Sequence, residues 1–141
     1  MPFKLNISEK GKAWKLQIES ESLVGKSIGD KINGKDIKAE LEGYELQITG
    51  GSDLAGFPHS NNVEGLGLKR VLLTKGFAMR DNYPGIRRKK TVRGKQISES
   101  SSQINLSVLK SGPKKLADIF PDQNKPAEAK PAAKPQQAVA A

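Results

Sequence analysis

Apolar residues in this chain return at every second position, in short runs, and glycines cut them off before a helix-length pattern can form. Phe3, Leu5 and Ile7 alternate with polar neighbours. So do Trp14, Leu16 and Ile18, then Tyr44, Leu46 and Ile48, and finally Ile104, Leu106 and Val108. Successive side chains on a strand point to opposite faces, so each run predicts a strand with one buried face. Lys69–Gly76, with Val71 and Leu73 in phase, and Thr91–Ser98 predict two more. The spacer Ser8–Lys12 contains Gly11 and reads as a hairpin loop. Residues 22–41 predict short strands or turns around Leu23, Ile28 and Ile32, with a brief helical turn ending at Leu41.

Six or so short strands without a long helix predict a mostly β protein, specifically a small antiparallel β-barrel with long loops. Closure is the expected way to hide sheet edges. The hydrophobic residues are 35% of the chain and the aromatics 5%, enough for a compact core of about 100 residues and little more. After Ser111-Gly112-Pro113, Lys114–Phe120 predicts one or two helical turns that pack Leu116, Ile119 and Phe120. From Pro121 the chain is almost wholly Pro, Ala, Lys, Gln and Asn. Ordering a backbone costs roughly 1–2 kcal/mol per residue, and nothing in this composition offsets it. The expected division is therefore a folded domain at 1–120 and a disordered tail at 121–141.

Charge is distributed unevenly. The formal net charge is +9 over 141 residues. Residues 1–60 contain 8 bases and 9 acids, whereas residues 69–95 contain ten bases and one acid, Asp81. The bases are Lys69, Arg70, Lys75, Arg80, Arg87, Arg88, Lys89, Lys90, Arg93 and Lys95. Unpaired cations are too costly to bury, and one acid within the window cannot neutralise ten bases. Phosphates can, and arginine's planar fork suits them. The window therefore predicts a nucleic-acid footprint rather than a merely solvated face. Only Phe77 and Tyr83 are aromatic there, which favours shape and phosphate recognition of folded RNA over sequence reading on an aromatic platform.

Other chemistry is argued against. With no cysteine, disulfides, thiol nucleophiles and cysteine metal sites are excluded. A single histidine, His59, cannot build a multi-histidine centre, and no cofactor is expected. Ser52, Asp53 and His59 are close in sequence, but they share one expected loop without a strand-to-helix elbow, so no enzyme is expected and His59 reads as a surface or RNA-facing residue. Gly25-Lys26-Ser27 resembles the end of a P-loop, but position 20 is Ser where a glycine is needed. No window approaches the ~20 apolar residues of a membrane span, and no secretory signal is seen, so the expected location is the cytoplasm. Residues 50–62 read as one long loop. Its Gly50-Gly51 pair allows positive φ and backbone N–H groups that could cradle phosphate, or simply an irregular turn.

Several segments, in order, carry a resemblance: Leu5–Ser8 (LNIS), 43–58 (GYELQITGGSDLAGFP), 69–76 (KRVLLTKG), 86–98 (IRRKKTVRGKQIS) and 104–112 (INLSVLKSG). Together they resemble the archaeal and eukaryotic-type small-subunit ribosomal protein S-six family, which is unrelated to the bacterial protein of the same number. The resemblance covers roughly residues 1–120. It implies a β-barrel seated on small-subunit ribosomal RNA beside neighbouring ribosomal proteins, without catalysis, membrane or small-molecule substrate. It also implies that Gly50, Gly51, Ser52, Asp53, Gly56, Phe57 and Pro58, with the basic segment, approach RNA. The alternative is a free-standing RNA-binding or RNA-chaperone module outside the ribosome. Eukaryotic members of the family end in a long basic helix with a phosphorylated serine cluster. This chain has no serine after Ser111, so that regulation does not transfer, and the short form resembles the archaeal one. Residues 80–86 (RDNYPGI) depart from the family's tyrosine-arginine-proline pattern.

Overall fold

The alternating runs are strands in the computed structural model, which describes residues 2–19 and 21–123. In chain order these are β1 (Phe3–Glu9), β2 (Lys12–Ile18), β3 (Lys31–Asn33), β4 (Glu45–Asp53), β5 (Leu68–Leu73), β6 (Arg88–Arg93) and β7 (Ser101–Lys110), followed by the four-residue helix α1 (Leu116–Ile119). Single 3-10 turns occupy Glu21–Leu23, Gly34–Asp36 and Ala39–Leu41, the last at the expected helical turn.

Five strands form one sheet in the order β2-β1-β7-β4-β3, while β5 and β6 pair separately. The sheet does not close, so the expected barrel is replaced by an open sheet with an added two-stranded ribbon. Its edges are protected by other means. β3 is only three residues long, and very short edge strands offer little template for pairing. On the opposite edge, the Gln123 side chain both accepts from the Lys15 N–H at 2.6 Å and donates to the Lys15 carbonyl at 2.8 Å. The sheet is also not wholly antiparallel, because β1 runs parallel to β7. A parallel pair needs a long crossover, and everything from β2 to β6 supplies it.

The apolar phase sets the buried face. Phe3, Leu5 and Ile7 from β1, Leu46 and Ile48 from β4, and Ile104 and Leu106 from β7 all point inward. Trp14, Leu23, Ile32, Leu41, Ile97, Leu116 and Phe120 join the cluster, so α1 does pack as its apolar residues predict. Burying each such large side chain stabilises by about 1.5–3 kcal/mol. Tyr44 is buried with them and its hydroxyl donates to the Lys114 carbonyl, tying the segment before α1 to the sheet. Burial, with the Glu9 and Asp118 carboxylates, pushes that hydroxyl's pKa above its usual value. Of the expected tail, 124–141 lie outside the described residues, while Gln123 docks on β2. Among the described residues, no helix is long and apolar enough to cross a membrane.

Candidate nucleic-acid interface

The basic window is an antiparallel hairpin. β5 and β6 pair from Leu68↔Arg93 to Leu73↔Arg88, and residues 74–87 connect them. The strand expected at Thr91–Ser98 starts three residues earlier and spans Arg88–Arg93. Residues directly opposite share a face and alternate along the strand. One face carries Val71, Leu73, Lys90 and Val92, all at least half buried, with Lys69 and Arg88 exposed at its ends. The other carries Leu68, Arg70, Leu72 and Lys89, all exposed, with Thr91 and Arg93 half buried. Val63, Ile86 and Val92 are buried but do not belong to the main core cluster.

The ten bases divide by what they touch. Arg93 Nε donates to Asp53 Oδ2 at 2.8 Å and its Nη1 to the Leu66 carbonyl at 3.0 Å. Lys95 pairs with Glu64 at 2.9 Å. Lys90 Nζ donates to the Ala78 carbonyl at 3.0 Å, and Arg88 pairs with Asp81 at 2.9 Å in an exposed position. Acids outside the window thus neutralise two of its bases, a pairing that a local charge count does not detect. Lys69, Arg70, Lys75, Arg80, Arg87 and Lys89 are exposed and have no side-chain partner among the described residues.

The glycine-rich segment differs from the loop expected at 50–62. Gly50, Gly51, Ser52 and Asp53 finish β4 and pair with β7, with register shifts between Ile48 and Gly50 and between Ser52 and Asp53. Neither Gly50 nor Gly51 has positive φ. Gly51 is required by close packing, since a Cβ there would sit 2.3 Å from the Gln103 carbonyl oxygen. A tight turn follows, closed by Asp53. Its N–H donates to the Phe57 carbonyl, its Oδ1 accepts from the Phe57 N–H at 2.9 Å, and its carbonyl accepts from Gly56. Gly56 sits at φ +91° with open space around it, and Phe57 is half buried. The N–H groups of Asp53, Gly56, Phe57 and His59 are all engaged within the protein, so the segment is not the open phosphate cradle that its composition allows.

Asp53 and His59 are buried, contrary to the expectation of an exposed loop. His59 Nδ1 lies 2.7 Å from the Gly94 carbonyl oxygen, which can only accept, so Nδ1 carries a proton. Its Nε2 lies 3.0 Å from Ser101 Oγ, and the Ser98 N–H donates to that oxygen. Asp53 turns instead to Arg93, so the two do not form the relay of a catalytic triad. Burial alone raises the Asp53 pKa. The Arg93 hydrogen bond and charge, with N–H groups of Phe57 and Ala55, outweigh that and hold it below the usual carboxylate value. Pro58 accepts from the Arg93 N–H, Ser60 donates to the Arg93 carbonyl, and Gly94 donates to Gly67. A Cβ on Gly94 would lie 2.0 Å from the Gly65 carbonyl oxygen. Asp53, His59, Arg93 and Gly94 together seat the hairpin on the end of β4 and β7. Among the described residues, no group of three or more His, Cys, Asp or Glu is placed to hold a metal ion.

Residues 3–121 match the family model described as Ribosomal protein S6e. The chain belongs to that family. The match spans every strand and α1. Archaeal relatives named small ribosomal subunit protein eS6 include that of Methanococcus maripaludis, 42% identical over 118 residues, covering 82% of this chain and 94% of the relative. That of Methanothermobacter thermautotrophicus is 41% identical over 123 residues, covering 85% and 96%. That of Archaeoglobus fulgidus is 39% identical over 125 residues, also covering 85% and 96%. Membership of the S6e family supports a structural ribosomal role over a catalytic one.

Proposed function

We propose that this chain is a structural constituent of the small ribosomal subunit and that its β5–β6 hairpin lies against ribosomal RNA. The observation that carries this reading is the set of six exposed cations, without side-chain partners among the described residues, on the β5–β6 hairpin and its 74–87 connection, a ribbon separate from the main sheet. Phosphates complete the charge balance that the protein leaves open, and released counterions favour the contact. Lys69, Arg70, Lys75, Arg80, Arg87 and Lys89 contact phosphate directly. Arg88, Lys90, Arg93 and Lys95 shape the hairpin and add to its field. The Asp53–Pro58 turn abuts the hairpin base, and the open space around Gly56 admits a close backbone approach there. The balanced charge of residues 1–60 orients docking, because the sheet offers RNA little attraction. Residues 1–120 form the bound domain and 121–141 an extension of it. The complex resides in the cytoplasm, beside neighbouring ribosomal proteins, and needs no cofactor.

Crosslinking in whole cells, with identification of the attached RNA and residues, tests this reading. The expected result is small-subunit ribosomal RNA joined to residues 69–89. Sucrose-gradient sedimentation at high salt separates it from the free-standing RNA-binding alternative. Co-migration with the small subunit supports the ribosomal role, and a pool confined to the top of the gradient contradicts it.

A further inference from the structure

The chain has seven aromatic residues. Phe3, Trp14, Tyr44 and Phe120 are buried and Phe57 is half buried. The other two, Phe77 at 51% and Tyr83 at 56% exposure, both lie in the 74–87 connection at the tip of the basic hairpin. A chain with so few aromatics leaves its two exposed rings among Lys75, Arg80 and Arg87.

The tip is also shaped to present them. Tyr83 is the first residue of a turn through Pro84 and Gly85, with Gly85 at φ +80° and the Ile86 N–H returning to the Tyr83 carbonyl at 3.4 Å. That pattern is a type II turn, which proline and glycine pre-set. Ile86 is buried, so the turn is anchored while the Tyr83 ring stays outside. Phe77 lies between Gly76 at φ +122° and Ala78 at φ +58°. A non-glycine residue in that left-handed region is uncommon and persists where its surroundings hold it. Lys90 does so through the Ala78 carbonyl.

We infer that Phe77 and Tyr83 stack on unpaired nucleobases of the ribosomal RNA that the hairpin cations grip by its phosphates. Every base has a π face, so the contact needs no particular sequence, and the flanking cations hold the strand in place. This inference deepens the RNA reading above and rests on it.

The test uses the full chain with an in-vitro transcript of the small-subunit RNA and, separately, a fully paired RNA duplex. Phe77→Leu and Tyr83→Leu keep apolar bulk and remove the ring. Each is expected to weaken transcript binding about 5- to 100-fold with an unchanged salt slope, while duplex binding stays at the parent's level. Tyr83→Trp is expected to keep parental affinity, with emission quenched by the transcript beyond any change in Trp14. If the parent fails to bind the transcript, the RNA reading falls and this inference with it. If the parent binds and the leucine variants bind equally well, or lose duplex binding equally, stacking alone is overturned.

Discussion

The five-stranded sheet and the β5–β6 ribbon have similar strand-forming residues and opposite surfaces. In the sheet, the alternating apolar residues of β1, β4 and β7 are buried together, and residues 1–60, which supply four of its five strands, contain 8 bases and 9 acids. In the ribbon, Leu68 and Leu72 face outward beside Arg70 and Lys89. Five of the eight large apolar side chains that are exposed among the described residues, Leu66, Leu68, Leu72, Phe77 and Tyr83, fall between residues 66 and 83. A two-stranded ribbon is marginal alone. This one is held by Asp53–Arg93, His59 and the Gly94 crossing, and its exposed face is free for a partner. Stability and the proposed RNA contact thus fall to different parts of one small molecule.

The largest expected contrast is in the leucines. Leu5→Ala or Leu106→Ala, both in the core, should lower unfolding free energy by about 2–5 kcal/mol in chemical denaturation. Leu72→Ala, at a site 57% exposed, should change it by less than about 0.5 kcal/mol. Comparable losses would erase the distinction between sheet and ribbon.

Next is the clamp between them. Asp53→Ala leaves Arg93 only 16% exposed and without its carboxylate. The loss should be about 2–3 kcal/mol, below the ~3–5 kcal/mol of a fully buried pair because Arg93 keeps the Leu66 carbonyl. The pH dependence has a definite sign. Folding lowers the Asp53 pKa, so between its folded and unfolded pKa values the unfolded chain binds more protons. The stabilisation is fully present above the ordinary carboxylate pKa, about 4, and is lost as pH falls through the lower folded value. Equilibrium melts of Asp53→Asn should show a shallower acid-side slope than the parent, and identical slopes would remove the clamp from the account.

A smaller effect separates two adjacent glycines. Gly51→Ala meets the Gln103 carbonyl and should cost about 1–3 kcal/mol. Gly50→Ala, with nothing within 4 Å of the added carbon, should shift the melting midpoint little. If both cost the same, the close approach of β4 to β7 is not what demands Gly51.

The sheet was legible because period-2 alternation directly encodes a half-buried strand, as Phe3-Leu5-Ile7 and Ile104-Leu106-Val108 show. Closure was not, because edge protection has several physical solutions and the Gln123–Lys15 contact spans 108 residues. The crowding of bases in residues 69–95 was legible as composition, ten bases against one acid. Its internal division was not. Arg93 carries the same charge as Arg87, and only the fold brings Asp53 beside it. The burial of His59 is hidden from the sequence for a related reason. Its partners are the backbone of Gly94 and the hydroxyl of Ser101, 35 and 42 residues away, and no local pattern marks a histidine that will be buried by distant strands.

The most direct measurement is the salt dependence of small-subunit RNA binding by two variants with the same change in net charge. One replaces Lys69, Arg70, Arg87 and Lys89 on the hairpin with Ala. The other replaces Lys4, Lys12, Lys15 and Lys31 on the sheet, which are also exposed. If the hairpin carries the phosphate contacts, the first variant should reduce the slope of log affinity against log salt by roughly 3, at about 0.7–0.9 per contact, while the second leaves it near the parental value. Equal reductions in both would mean that RNA responds to the whole molecule's charge and that the hairpin has no special role.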